Sequence, residues 1–408
     1  MPFRPVDHVL LDWLVSWRFG QQPMLEEHPK RRRRYWVHPI VSQRYRKGHF
    51  HTLYTDLRRY PEKFFNFCRM SISSYDHLLT HLRIGLTHQD TDMRRCISPE
   101  ERLMVTLRFL ASGNSYASLH FEFLLGSSTI STIIASTCEL IWQQLREIVM
   151  PQPKAEDWLR IADGFYNSAQ FPNCLGALDG KHIRVKKPPH SGSQYYNYKQ
   201  FFSVVLLALA DSDYRFIIVD IGAYGSSSDA GIFRASRLGD RLRSNQLGIP
   251  EPRQLPGSSG PPAPFVIVAD EGFALAPHVL RPFPRRGLDE RRRIFNYRLT
   301  RARRYVECAF GILSSKWRVF QTPLQLKPEN VKLVIQACVI LHNFLRIHES
   351  VLEIEVDQFV STSTIPVDQN LHGRPGSEAL IFRELYADFF LSSAGAVPWQ
   401  MDAIHAHN

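Results

Sequence analysis

Three carboxylates stand out because of what surrounds them. Asp179 lies in CLGALDGKHIRV (residues 174–185), an apolar run with Gly176 and Gly180 on either side of the acid. Asp270 closes the apolar run of FVIVADEGF (265–273), and Glu307 sits in RARRYVECAFG (301–311). Hard carboxylate oxygens suit Mg²⁺ or Mn²⁺, which take few protein atoms and leave room for phosphate and water. Two such ions about 3.5–4 Å apart can activate a water or a 3′-OH and stabilise the leaving oxygen. Each acid also has an ordinary use. Asp179 before Gly180 suits a turn, Asp270 suits a cap on the next segment, and Glu307 suits pairing with Arg303 or Arg304 at i−4 and i−3, worth about 0.2–0.5 kcal/mol.

The elements that carry these acids decide between the two uses. CLGALDGKHIRV, SVVLLALADSDY (203–214) and RFIIVDIGAYG (215–225) predict three strands in succession, joined by Asp-Ser-Asp turn chemistry. A helical piece follows over Asp229 to Leu242. Residues 245–264 then hold Pro250, Pro252, Pro256, Pro261, Pro262 and Pro264, which predicts an irregular, mobile insertion. FVIVADEGF predicts a fourth, fully apolar strand. Helices are expected over 296–316, 328–348 and, in the tail, 377–391. Antiparallel-type strands, a helix, a parallel-type strand and a helix is the order of an RNase H-like α/β domain. There, acids sit on the first strand, after the fourth, and on a late helix. Val306, Phe310, Leu313 and Trp317 form the core-facing stripe of that helix, with Glu307 beside it.

Upstream, residues 61–150 read as all-helical. Ser98-Pro99-Glu100-Glu101 is a helix start, with Gly113 its stop. A second helix runs from Tyr116 to Leu125, and Ser127-Ser128 cap a third that is apolar at Ile130, Ile133, Ile134, Cys138 and Ile141. Helix, turn, helix, turn, helix outlines a helix-turn-helix-like domain. The expected organisation is a basic N-terminal region (1–60, with an amphipathic helix from Val6 to Phe19), this helical domain (61–150), the RNase H-like domain (151–348) and a tail (349–408).

Charge narrows the partners. Fifty Lys and Arg face 39 Asp and Glu, a formal net charge of +11, which favours nucleic acid first and anionic membrane second. Residues 30–47 are basic without an acid, and 281–304 hold ten Arg against Asp289 and Glu290. The six cysteines show no CxxC spacing and fall mostly in apolar segments, so reduced, buried thiols are expected. The 17 His show no zinc spacing. VDHVLLDWLVSWRF is too short and too charged to span a bilayer, and no signal peptide is recognisable. A soluble intracellular protein without a membrane partner is expected.

Several motifs in order resemble one family. FPNCLGALDGKHIRVKKPPHSGSQYYNYKQFFSVVLLALADSDYRFIIVDIGAYGSSSDAGIF, VIVADEGFAL, RIFNYRLTRARRYVECAFGILSSKWRVF and VILHNFL are similar to the PIF/Harbinger superfamily of DDE transposases and the nucleases derived from them. The resemblance runs from about Phe171 to Phe344, and more loosely on both sides. It implies a metal-dependent DNA endonuclease, capable of strand transfer, with Asp179, Asp270 and Glu307 as catalytic metal ligands and two Mg²⁺ or Mn²⁺ ions. Asp229, in GSSSDAGIF, falls on a further Asp of the family, as a fourth metal ligand or close support. Its ordinary reading, a helix cap, weighs equally. Ala269-Asp270 stands where the family more often has Gly-Asp. The resemblance also implies a separate Myb/SANT- or MADF-like DNA-binding partner, and it is compatible with a homo-oligomer.

The Arg-rich segment leads into the Glu307 helix, so Arg301, Arg303 and Arg304 are candidates for DNA-phosphate contact, with Lys181, His182, Lys186 and Lys187 on the other side. KRRRR (30–34) has the density of a nuclear localisation signal or a basic arm, which points to the nucleus, with the cytoplasm as a second location. The third upstream helix lacks cations for reading bases, so a structural or protein-contact use is expected of it. The expected function is a harbinger-type nuclease or transposase. The alternatives are a chromatin or DNA-binding adaptor on a retained nuclease fold, and an RNA-directed nuclease by fold analogy.

Overall fold

The computed structural model describes residues 34–92, 95–284, 286–349 and 376–405. The expected helix at Val6 to Phe19 and Lys30 to Arg33 lie outside the described residues. Of the described residues, those from 34 to 42 belong to one unit, with a short helix Pro39–Ser42, and those from Gln43 onward to a second.

The upstream part of the second unit is cut into helices α1 (His49–Arg59), α2 (Pro61–Cys68), α3 (Ile72–Leu86), α4 (Pro99–Ser112), α5 (Tyr116–Phe123) and α6 (Ser127–Val149), with Ser71, Ser98 and Ser115 capping α3, α4 and α5 and left-handed Arg69, Gly113 and Leu124 ending α2, α4 and α5. The Ser98 side chain accepts from Glu101 N at 3.3 Å, with Pro99 in the first turn, and Gly113 at φ 72° ends the helix. At α6 the cap position falls on Gly126 rather than on the serines. Apolar stripes from α3 to α6 meet in one core. Within it, Glu101 is fully buried and is held by the Arg44 guanidinium.

The sheet follows α7 (Ala155–Ala169). Its strands are β1 (Cys174–Arg184), β2 (Ser203–Ala210), β3 (Phe216–Tyr224), β4 (Val266–Ala269) and β5 (Val279–Leu280), in the order β3-β2-β1-β4-β5. β1, β2 and β3 run antiparallel, while β4 lies parallel to β1 and β5 parallel to β4. This mixed sheet flanked by helices is the RNase H-like architecture expected from the element order. Two-residue β5 was not legible, being too short to show a period.

Alternation splits the sheet's apolar residues between two faces. Ala177, Ile183, Val204, Leu206 and Ala208 pack with α10 (Glu290–Lys316) and α11 (Pro328–His348). Leu175, Leu178, Val205, Leu207 and Ile267 pack with Trp158 of α7, Ile232 of α8 (Asp229–Ala235) and Leu238 of α9 (Arg237–Arg243). The helical piece expected over 229–242 is thus two helices, broken at Ser236, whose side chain caps the second. α10 starts at Glu290, earlier than expected, because Asp289 caps it by accepting from Arg292 N at 2.8 Å.

The 245–264 insertion is irregular, as expected, and several hydrogen bonds tie it to the rest of the domain. Arg253 and Ala263 exchange backbone bonds of 3.0 Å each, and Asn173 Nδ2 donates to both carbonyls. Leu247 and Leu255 are buried, and Trp158 Nε1 donates to Leu247 O at 2.9 Å. The prolines remove backbone donors, and the segment is held through its carbonyls, which accept from Asn173 and Trp158.

Asn343, in the VILHNFL motif, joins the helical and sheet parts. Its carboxamide accepts from Phe216 N at 2.9 Å and donates to Phe216 O at 2.7 Å and Val149 O at 3.0 Å, imitating a strand at the outer edge of β3. α11 is long and apolar enough to cross a membrane by composition, yet its apolar residues lie within the core. The tail helices α12 (Ser377–Leu391) and α13 (Gln400–His405) return to pack on α10. None of the six cysteines forms a disulfide, and five are buried.

Candidate active site

The geometry starts from register. β1 and β4 run parallel with Leu178 opposite Ala269, so the next residues, Asp179 within β1 and Asp270 just past β4, stand side by side. β4 ends at Ala269, while β1 continues to Arg184 paired with β2 alone, where Asp179 lies opposite Ala208. Asp179 therefore stands where the central strand loses its parallel neighbour. Asp270 turns back on itself, and its Oδ1 accepts from Gly272 N at 2.9 Å.

Asp229 arrives from the other face. It opens α8, capped by Ser228, and packs on the backbone of Gly180, where a Cβ would collide with its Oδ1. That oxygen is buried and finds no hydrogen-bond partner. Alternation turns Asp179 toward α10 and Gly180 toward α8, so Asp179 and Asp229 flank β1 from opposite sides.

Electrostatics tie the three together. Burial raises the Asp179 carboxyl well above the carboxylate range; the neighbouring charges of Asp270 and Asp229 add to this, and Arg303 opposes it. Asp229 is pushed up to about 7, chiefly by burial and then by Asp270, with Lys199 opposing. Like charges out of water cost free energy, so these groups hold protons or call for a cation.

Glu307 is engaged elsewhere. Its Oε1 pairs with Arg303 Nη2 at 2.6 Å, the i−4 partner open to it from sequence. Arg303 thus acts on Asp179 while paired with Glu307. Among the described residues, no three Asp, Glu, His or Cys groups stand at metal-ligating separation.

The cationic candidates divide. Lys181 lies inward, 5.7 Å from the Phe310 ring, and burial lowers its pKa. His182 shares a hydrogen bond of 2.9 Å with Ser203 Oγ and is held neutral, its pKa lowered to about 4 by burial and by Lys199. Lys186, Lys187 and Arg304 are exposed, and Arg301 lies over the Trp399 ring. Two further arginines of the segment hold the tail. Arg291 pairs with Glu384 and with Asp388 at 2.6 Å, and Arg298, 1% exposed, donates to Gly395 O and Gln400 Oε1.

Sequence reasoning passed over Tyr198 and Lys199. The phenol of Tyr198 is raised to about 12 by burial and by Asp229, Asp179 and Asp270, which puts it beside the acids, while Lys199 acts on Asp229. The signal was present in QYYNYKQFF, an aromatic run interleaved with a cation.

Comparison with known proteins agrees with the motifs. Residues 178–343 match the DDE superfamily endonuclease family. The chain is 26% identical over 298 residues to "Protein ALP1-like" of Arabidopsis thaliana, covering 70% of this chain and 71% of that protein. It is 24% identical over 317 residues to "Putative nuclease HARBI1" of Xenopus laevis, covering 76% and 84%. The protein of the same name from Homo sapiens is 23% identical over 284 residues, covering 68% and 74%. No solved structure matches.

Proposed function

The chain carries a DDE superfamily endonuclease domain over residues 178–343, and on that premise we propose that it is a harbinger-type, divalent-metal-dependent nuclease that cuts DNA phosphodiester bonds. The observation that carries this reading is the parallel register of β1 and β4, which sets Asp179 and Asp270 side by side in the field of Asp229.

The donor set fits Mg²⁺ or Mn²⁺. It is all hard oxygen, one buried oxygen of Asp229 has no partner, and burial and mutual repulsion leave the acids short of positive charge. Asp179 and Asp270 would hold the metal, with Asp229 as close support from the other face and Glu307 joining on leaving Arg303. When bound, such ions activate water and stabilise the leaving oxygen. The Gly272 amide orients Asp270, and Gly180 admits Asp229. Lys199, Lys186 and Lys187 offer charge to the phosphates, while His182 is neutral and orients through Ser203. Strand transfer by the freed 3′-OH belongs to the same proposal, as do a nuclear setting and a Myb/SANT- or MADF-like partner that reads sequence.

The engagement of Glu307 by Arg303 favours a second reading, a DNA or chromatin adaptor on a nuclease scaffold. One experiment separates them. Wild-type protein should nick plasmid DNA in Mn²⁺, and Asp179→Asn should lose nicking while keeping its fold and DNA affinity. Equal nicking by the variant refutes the site, and an inert wild type that binds DNA supports the adaptor.

A further inference from the structure

The loop between β1 and β2 carries cations and aromatics that the carboxylate chemistry does not use. From Arg184 to Phe202 the chain holds Arg184, Lys186, Lys187 and Lys199 and no acid. Three of these cations lie over rings: Arg184 over Phe201 at 4.5 Å, Lys187 over Phe202 at 5.6 Å and Lys199 over Tyr198 at 5.4 Å. Aromatic surface is also left in solvent. Tyr196 is 43% and Tyr198 55% exposed.

The loop is built rather than loose. Val185 N donates to Phe202 O at 2.9 Å, Ser203 N to Tyr195 O at 2.7 Å and Asn197 N to Phe201 O at 2.9 Å. Asn197 is buried, and its Nδ2 donates to Ser203 Oγ at 2.9 Å, the hydroxyl that also meets His182. The His182 ring then meets the edge of Tyr198, with centroids 5.4 Å apart. Tyr198 is thereby fixed beside the acids while more than half of it faces solvent.

We propose that this loop is a stacking platform for unpaired nucleotides, so that the substrate is DNA with single-stranded character next to the cut. The proposal rests on the nuclease reading for what happens at the acids, but not for binding. Phosphates alone would call for cations without exposed rings. A paired base buries both faces against its neighbours in the duplex, whereas an unpaired base can lie on an aromatic ring set in a positive groove.

The test is binding by the full chain in EDTA, measured by fluorescence polarisation, with a blunt duplex and the same duplex carrying a short single-stranded overhang. Wild type should bind the overhang about ten-fold more tightly, the factor expected for one stacked base. Tyr198→Ala and Tyr196→Ala should erase the preference and keep blunt-duplex affinity, and Tyr198→Trp should keep the preference. Equal binding of both DNAs by wild type overturns the proposal, as does a preference that survives Tyr198→Ala. Thermal melts of the variants separate loss of stacking from loss of fold. Because no metal is present, an overhang preference without nicking in Mn²⁺ would retire the nuclease and keep the platform. Nicking without the preference would do the reverse.

Discussion

Replacing Asp229 by Asn should stabilise the metal-free protein at pH 8 and not at pH 4.5. Asp229 has a buried, partnerless Oδ1 and a pKa raised from 3.8 to about 7, chiefly by burial and then by Asp270. Between those values the native state keeps a proton that the unfolded chain has released, so stability falls as pH rises, and above about 7 the whole cost is in place. At 1.36 kcal/mol per pH unit, the span from 3.8 to about 7 caps the cost at about 4 kcal/mol. Asn removes the charge but brings an amide that also lacks a partner, which returns about 1–2 kcal/mol. A net gain of about 2–3 kcal/mol at pH 8 remains, with little or none at pH 4.5, where both side chains are neutral. Urea denaturation in EDTA at pH 4.5, 6 and 8 measures it. Adding Mn²⁺ at pH 8 should raise the wild-type midpoint and move the variant less. A variant that is less stable at pH 8, or a difference independent of pH, would refute the account of Asp229 as a buried like-charge neighbour.

Other perturbations test the neighbouring parts. Gly180→Ala puts a Cβ into Asp229 Oδ1 and should cost about 1–3 kcal/mol and weaken Mn²⁺ binding, read by thermal melt and calorimetry. Arg303→Met removes the cation that opposes the raised pKa of Asp179, so the acidic limb of the Mn²⁺ cleavage profile should move to higher pH; an unmoved limb would separate Arg303 from Asp179. Asn343→Leu removes three hydrogen bonds joining α6 and α11 to β3 and should cost about 2–5 kcal/mol by chemical denaturation, well above an exposed Asn.

Element order, most boundaries and the carboxylates were legible in the chain because their signals are local. The Ser98 cap, the Gly113 stop, the apolar runs of β1 and β4 and the 3.6-residue stripe of α10 each need only their neighbours in sequence. The tail helix at 377–391 announced itself in the same way. The insertion did not, because Asn173 and Trp158 hold it from elsewhere in the chain. Nor did the destination of the arginines. Arg298 reads as one more member of a basic run, yet it is buried and donates to Gly395 O and Gln400 Oε1 of the tail.

The amino-acid sequence by itself determined that acids would end up on a central strand, after its parallel partner and on a packed helix. Only the tertiary structure decided how they meet. The Leu178–Ala269 register sets Asp179 beside Asp270, the bare backbone of Gly180 admits Asp229 from the opposite face, and Arg303 holds Glu307 to one side. Register between strands remote in sequence, and the approach of the acid that opens α8 to a bare strand backbone, depend on which surfaces pack together, and no local period encodes that.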